Sequence, residues 1–345
     1  MTIDAEVRNH MNAEKKNLVN EHRSKLEDVL PLRTPYSLFI DPCNLCNFKC
    51  KFCAMQTTDE ELDFKKQLMS MELYEKIVDD IASFPDKLKM LRISQHGEPL
   101  LHPELPEMIR YAKQKNVSEF IEIVSNGSKL NPRLNKELVE SGLDRIRISI
   151  EEISGEGYRE IAGVSIDFDQ LIANIKDLFE QSNRMGKALE VYVKIVDVAV
   201  DTKEKEETFY RLFGDICHKI WIDHIVPVWS GWGDLENRFE LQQMGVHGQT
   251  PQVARVCPFP FYSLTIAPDG IANVCCSDWR RKLVIGDLKR QSLMDVWKGD
   301  LLKKFWIDML SGNKDRYEMC AQCVYPVYNS TDNIDAYAEE ILKRM

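Results

Sequence analysis

The sequence predicts an α/β protein: a partial barrel of six strand–helix units, followed by a smaller C-terminal domain. Three observations carry this. Between residues 35 and 235, short β-branched runs alternate with amphipathic helical stretches, the pattern of parallel βαβ units. Six units fall two short of a closed eight-fold (TIM) barrel. After residue 235 the alternation stops, and turns, short strands and five cysteines follow. The chain therefore divides into a helical extension (1–34), a partial (β/α)6 barrel (35–235) and a C-terminal domain ending in a helix (236–345).

The elements follow in order. Residues 4–30 carry Val7, Met11, Leu18, Leu26 and Leu30 at helical spacing. "SLFID" (37–41) is the first strand. "SMELYEKIVDDIASF" (70–84) starts on a Ser N-cap and buries Leu73, Ile77 and Ile81. "KMLRIS" (89–94), "FIEIVS" (120–125) and "RIRISI" (145–150) are strands two to four. Helices at 105–116 and 133–142 separate them, the second with a Gly stop. A helix at 168–183, a strand at 189–198, a helix at 204–219 and a strand at 221–229 complete the barrel.

Composition removes several functions. Net charge is −10 with no block of like charge, which argues against a nucleic-acid partner. No apolar run spans a bilayer, so no membrane partner is expected. The polar N-terminus lacks the apolar core of a secretory signal, so the expected location is the cytoplasm. In a reducing compartment, ten cysteines serve as metal ligands or catalytic thiols more often than as disulfides.

The densest cysteines stand in "CNLCNFKCKFC" (43–53), just after the first strand, where a barrel keeps its chemistry. Cys46, Cys50 and Cys53 form C-x3-C-x2-C. Three thiolates can hold three irons of a 4Fe–4S cube and leave the fourth open to a substrate or cofactor. A structural zinc site using Cys43 as fourth ligand, or a ferredoxin-like electron carrier, would use the same spacing.

These residues resemble the radical S-adenosylmethionine (SAM) enzymes. Phe52 matches the aromatic position before the last cysteine of that family's motif. "QHGEP" (95–99) resembles its Gly-Gly-Glu segment, with His96 in place of the first Gly, then Gly97, Glu98 and Pro99. "VSNGS" (124–128) resembles the segment after the third strand, with Ser125 and Asn126. "ISIEE" (148–152) resembles the ribose-contacting segment, with Ser149 and Glu151. The resemblance implies that Cys46, Cys50 and Cys53 bind a 4Fe–4S cluster and that Glu98 holds the SAM amino group. It also implies cleavage of SAM to a 5′-deoxyadenosyl radical, fed by a flavodoxin- or ferredoxin-type electron donor.

The C-terminal cysteines add a second site. Cys257 precedes "SLTIA" and "IANVCC", which flank an Asp269-Gly270 hairpin turn. "VIGDL", a helical "SLMDVWKGDLLKKFWIDML" and "MCAQC" follow. This order resembles the twitch domain, a shortened SPASM extension that holds one auxiliary 4Fe–4S cluster. By that resemblance the ligands are Cys257, Cys275, Cys320 and Cys323. Cys276 is the competing ligand, because adjacent strand residues point to opposite faces. A zinc ribbon is the other reading. Cys43 reads as a bystander and Cys217 as core.

An auxiliary cluster can take the electron that a substrate radical loses when it becomes a carbonyl. The first expected reaction is therefore oxidation of a secondary alcohol of a sugar or cyclitol to a ketone, with Asp234 or Glu151 as base. The second is sugar epimerisation, with Cys217 or Cys276 returning a hydrogen atom. The third is modification of a ribosomal peptide.

Overall fold

The computed structural model describes residues 13–14, 24–56, 62–186, 189–228, 239–241, 243–329 and 332–345. Six short strands follow the predicted alternation: β1 (Ser37–Ile40), β2 (Met90–Arg92), β3 (Ile121–Ser125), β4 (Arg145–Ile150), β5 (Glu190–Val196) and β6 (Lys219–Asp223). Each pairs in parallel with its sequence neighbour. Two-residue alternation decides the faces. In β4, Ile146, Ile148 and Ile150 are buried, while Arg145, Arg147 and Ser149 take the other side. The apolar side joins the helices in one core with Leu38, Ile40, Leu91 and Ile123.

The connecting helices have the ends that their sequences specify. α1 (Leu26–Val29) precedes the barrel; α2 (Met71–Ala82) begins on Ser70, whose hydroxyl accepts from Leu73 N. α3 (Leu105–Lys115) follows β2. α4 (Pro132–Ser141) is capped by Asn131 and stopped by Gly142 at φ 84°. α5 (Gly155–Ile161) was not expected: two glycines weaken its helical signal, and a Ser154 cap starts it. α6 (Phe168–Arg184) and α7 (Lys203–Phe213) complete the layer.

Three expectations are corrected. The extension is not one helix over 4–30: Ala13 N and Glu14 N donate to Gly214 and His218 carbonyls, and Glu14 bridges Lys219. That pairing covers part of the free edge of β6, whose unpaired groups would otherwise need water. The helix before β6 ends at Phe213, so Cys217 lies in the turn beyond it. The sixth strand runs 219–223 rather than 221–229.

The sheet does not stop at β1. β7 (Ser263–Ile266) pairs in parallel with β1 over four residues, and β8 (Ile271–Asn273) and β9 (Val284–Asp287) add antiparallel. The order is β6-β5-β4-β3-β2-β1-β7-β8-β9, an open, parallel-rich sheet consistent with a partial barrel. Gly270, at φ 84°, makes the β7–β8 turn. α8 (Leu293–Trp297), α9 (Asp300–Leu310), α10 (Glu318–Ala321), α11 (Tyr325–Asn329) and α12 (Ala338–Arg344) follow it in the chain. Among the described residues, no helix is long and apolar enough to cross a membrane.

Candidate active site

The loops after β1 to β4 gather the first set of predicted residues. Cys46, Cys50 and Cys53 lie close enough to disfavour one another's ionisation. Burial pushes Cys53 up to about 12 and Cys50 up further still, with Glu151 adding to it; Cys46 keeps an exposed surface, and partial desolvation by the loop raises it too. Such thiols need a bound cation to become thiolates. Phe48 N donates to Cys46 Sγ at 3.4 Å, a contact suited to a ligating sulfur. Cys43 turns away from them, its thiol donating to the Glu98 carbonyl at 3.0 Å. Phe52 leans on Phe239, ring centroids 6.4 Å apart.

The QHGEP segment is pressed against that loop. A Cβ on Gly97, at φ 106°, would sit 2.7 Å from the Cys43 and Leu45 carbonyl oxygens. Only glycine permits this approach. Glu98 N then donates to Leu45 O at 2.7 Å. The Glu98 carboxylate accepts from Ser125 Oγ at 2.7 Å, Asn126 N at 2.7 Å and Leu100 N at 2.9 Å. Burial pushes this carboxyl up to about 7 despite those donors. Pro99 is the first residue of the short 3-10 turn that Glu98 caps. Asn126 also donates to Asn47 Oδ1 at 3.1 Å, which ties "VSNGS" to the cysteine loop.

Ser149 stands beside Lys194 in the β4–β5 ladder. Glu151 is buried next to Cys50; burial pushes its carboxyl up to about 7, against the pull of Lys194. Lys194 Nζ donates to Asp223 at 2.9 Å, and His247 Nδ1 lies 3.0 Å from the same carboxylate. Beneath them Glu122, 1% exposed, meets Arg92 at 2.6 Å, Arg145 at 3.7 Å and also Arg147. Although burial opposes ionisation, the Arg147 and Arg92 guanidiniums hold Glu122 down at about 2. Asp41, Asn47, Lys194, Asp223 and His247 were not read from the sequence. Lys194 and Asp223 carried one usable signal, a charged residue near the C-terminal end of a barrel strand.

The C-terminal cysteines form a second set. Cys257, Cys275, Cys320 and Cys323 line one cleft with Met309, Met319 and Tyr325. Ser277 N donates to Cys275 Sγ at 3.3 Å. Cys275 and Cys276 lie beyond β8 in a turn, so strand alternation does not orient them. Cys276 Sγ instead reaches Tyr325 Oη at 3.5 Å. Among the described residues, no three Cys, His, Asp or Glu side chains close round one ion. A zinc site needs each sulfur about 2.3 Å from a single ion. A cube takes each thiolate on a different iron, and thiols along the walls of a cleft fit that group.

Two predicted residues fall elsewhere. Cys217 precedes β6, at the end of the strand opposite the active-site loops, and its buried thiol donates to Phe213 O at 3.2 Å. Asp234 lies outside the described residues.

The chain matches the family model for the radical SAM superfamily over residues 40–208, and that for the SPASM iron–sulfur cluster-binding domain over 257–324. It is 35% identical over 324 residues to the tungsten-containing aldehyde ferredoxin oxidoreductase cofactor-modifying protein of Pyrococcus furiosus, covering 83% of this chain and 86% of that one. It is 35% identical over 177 residues to a probable GTP 3′,8-cyclase of Methanococcus maripaludis, covering 51% of this chain and 55% of that one. The crystal structure of BtrN in complex with AdoMet and 2-DOIA shares the fold, with a TM-score of 0.54 at 15% identity, covering 86% of this chain and 94% of that one.

Proposed function

Because this chain belongs to the radical SAM superfamily, with SAM and a 4Fe–4S cluster in each of its two parts, we propose that it oxidises a secondary alcohol of a polar small molecule, a sugar or cyclitol, to a ketone. The observation that supports this is the four-thiol cleft of Cys257, Cys275, Cys320 and Cys323, joined by hydrogen bonds to the loop that carries Glu98. When bound, the first cluster supplies the electron that splits SAM and the second an acceptor for the electron that the substrate radical gives up.

The chain's own residues do the rest. Cys46, Cys50 and Cys53 hold the first cluster. Glu98 takes the SAM amino group, and Ser125, Asn126 and Ser149 complete its bed. Glu151, buried and carrying a carboxyl near neutrality, takes the hydroxyl proton as the carbonyl forms. The alcohol thus loses a hydrogen atom, a proton and an electron. Relatives named for GTP and for an enzyme's cofactor support a polar small-molecule substrate.

Epimerisation keeps one observation in its favour, the Cys276 thiol, outside the ligand set carried over above, beside Tyr325. The test is mass spectrometry of polyols incubated with reconstituted protein, SAM and reductant in D2O. Oxidation gives a product lighter by two hydrogens. A product of unchanged skeleton that has gained one solvent deuterium would replace oxidation with epimerisation.

A further inference from the structure

The inner face of the sheet carries charge where a closed barrel keeps layers of branched aliphatic side chains. Arg92, Glu122 and Arg145 are direct neighbours across β2, β3 and β4. Arg147 stands two residues beyond Arg145 and so shares its face, away from the helix-packed core.

The charges on this face do not balance. Arg92 Nε donates to Glu122 Oε1 at 2.8 Å, and Arg147 donates to the same oxygen. Arg145 lies 3.7 Å from Glu122 Oε2 and donates to Glu190 Oε2 at 2.7 Å. Lys194 and Lys219 have carboxylates of their own, Asp223 and Glu14. Three guanidiniums thus share two carboxylates, which leaves one positive charge over inside a chain whose net charge is −10.

The excess falls on Arg147. Its one carboxylate oxygen is shared with Arg92, and among the described residues its Nε is buried with no hydrogen-bond partner. Burial holds this guanidinium below its usual range in spite of Glu122, and the Arg92 and Arg145 charges act in the same direction as burial. A buried cation without a full counter-charge is costly unless an anion comes to it. The side chains of Arg92 and Arg147 are 20% and 13% exposed, so open space reaches both. A strand rises about 3.3 Å per residue, which roots Arg147 about 7 Å deeper in the barrel than Ser149 on the same face of β4. An anionic group held there directs the rest of its molecule upward, toward the bed proposed for SAM.

We propose that the substrate carries an oxyanion, a phosphate or a carboxylate, which Arg147 and Arg92 hold deep in the barrel so that its polyol part stands beneath SAM. The polyol rests on the oxidation proposed above; the anion site is tested without turnover.

Reconstituted full-length protein, saturated with SAM and without reductant, is titrated in a calorimeter with inorganic phosphate and with acetate. At least one should bind saturably to the wild type, and the tighter of the two names the group: phosphate a phosphorylated polyol, acetate a sugar acid. Arg147→Gln leaves Glu122 to Arg92 and Arg145. It should weaken that ion about 10- to 150-fold, the loss of a charge-assisted hydrogen bond, while SAM affinity and iron content stay within about twofold. Glu122→Gln releases the shared oxygen and should bind the same ion more tightly than the wild type, which a purely structural ion cluster would not do. Equal binding by the wild type and Arg147→Gln, or no binding of either ion, overturns the anion site and leaves oxidation standing. A SAM affinity that falls tenfold in Arg147→Gln assigns the guanidinium to the SAM carboxylate and overturns it too. Ion binding as expected, with a product of unchanged skeleton that carries one solvent deuterium, keeps the anion site and removes oxidation.

Discussion

Glu98→Gln tests the proposed SAM site most directly. Glu98 is 2% exposed and accepts three hydrogen bonds. Alanine would orphan all three donors at once, so the isosteric amide is the cleaner change. The amide oxygen can keep Ser125 and Leu100, but its NH2 then faces the Asn126 N–H. That leaves one buried donor unmet, a cost of about 1–3 kcal/mol in stability. The loss in binding is separate. A hydrogen bond from the SAM amino group to an ionised carboxylate is worth about 1.5–3 kcal/mol, so affinity should fall about 10- to 150-fold.

The pH dependence is a second signature. A carboxyl titrating at about 7 is about one-tenth ionised at pH 6 and about nine-tenths at pH 8. The ratio of wild-type to variant affinity cancels SAM's own titration, and it should rise about ninefold between those pH values. The free protein should show the opposite trend in stability. Glu98 goes from an ordinary 4.5 to about 7 on folding, so the folded chain holds a proton that the unfolded chain has released. Stability therefore falls as pH rises through that window, by about 3 kcal/mol, and Glu98→Gln removes this slope. Equilibrium dialysis with labelled SAM and urea melts across pH read the two effects. An affinity within about twofold of wild type, or a ratio flat from pH 6 to 8, would refute the assignment.

Three further outcomes follow from the geometry. Gly97→Ala places a Cβ 2.7 Å from two carbonyl oxygens at φ 106°; iron bound at the first cluster should drop and the urea midpoint fall by several kcal/mol equivalent, about 2–5. Glu122→Gln leaves Arg92, Arg145 and Arg147 without their shared carboxylate; stability at pH 7 should fall by about 3–5 kcal/mol, and the wild type's loss of stability as pH drops from 4.5 to about 2 should diminish in the variant. Cys217→Ala should leave product formation intact, because that thiol bonds Phe213 O away from the active-site loops; a variant that makes 5′-deoxyadenosine but no product would return Cys217 to the chemistry.

The barrel was legible because its signals are local. Strand alternation in "RIRISI", the Ser70 cap and the Gly142 stop act within a few residues, and the elements appear where those signals stand. The C-x3-C-x2-C loop and QHGEP were likewise readable as local strings. What stayed hidden depends on pairing at a distance. Nothing in "SLTIA" says that it will join β1 in parallel, since two apolar strands of equal length carry no register of their own. The alternation argument for Cys275 and Cys276 failed for the same reason. It assumed that a strand continues, whereas β8 ends at Asn273 and the pair stands in the turn beyond it. Helix ends were misjudged where glycine intervened: Gly214 closes α7 early and moves Cys217 off the helix.

The β1–β7 ladder also bears on how the two cofactor sites work together. Were the C-terminal segment a module on a linker, the separation between its cysteines and the SAM loop would vary, and one-electron chemistry between them would be poorly controlled. Instead three independent sets of bonds fix it. β7 is zipped to β1 through four residue pairs from Ser37 to Ile40. Behind the sheet, Leu293 N donates to Asp80 at 2.9 Å, Lys76 Nζ to Gln291 O at 3.2 Å, and Trp297 Nε1 to Leu32 O at 3.0 Å. In front, Gln95 and His96 hold the Cys276 carbonyl. The ladder carries the strictest constraint: β7 is buried on both faces, and a one-residue slip would exchange them and set the Thr265 hydroxyl in the apolar core where Leu264 and Ile266 now pack. The separation of the two cysteine sets is thus set by sheet register; on the oxidation proposed above, substitutions along β7 should change electron transfer only by changing the fold.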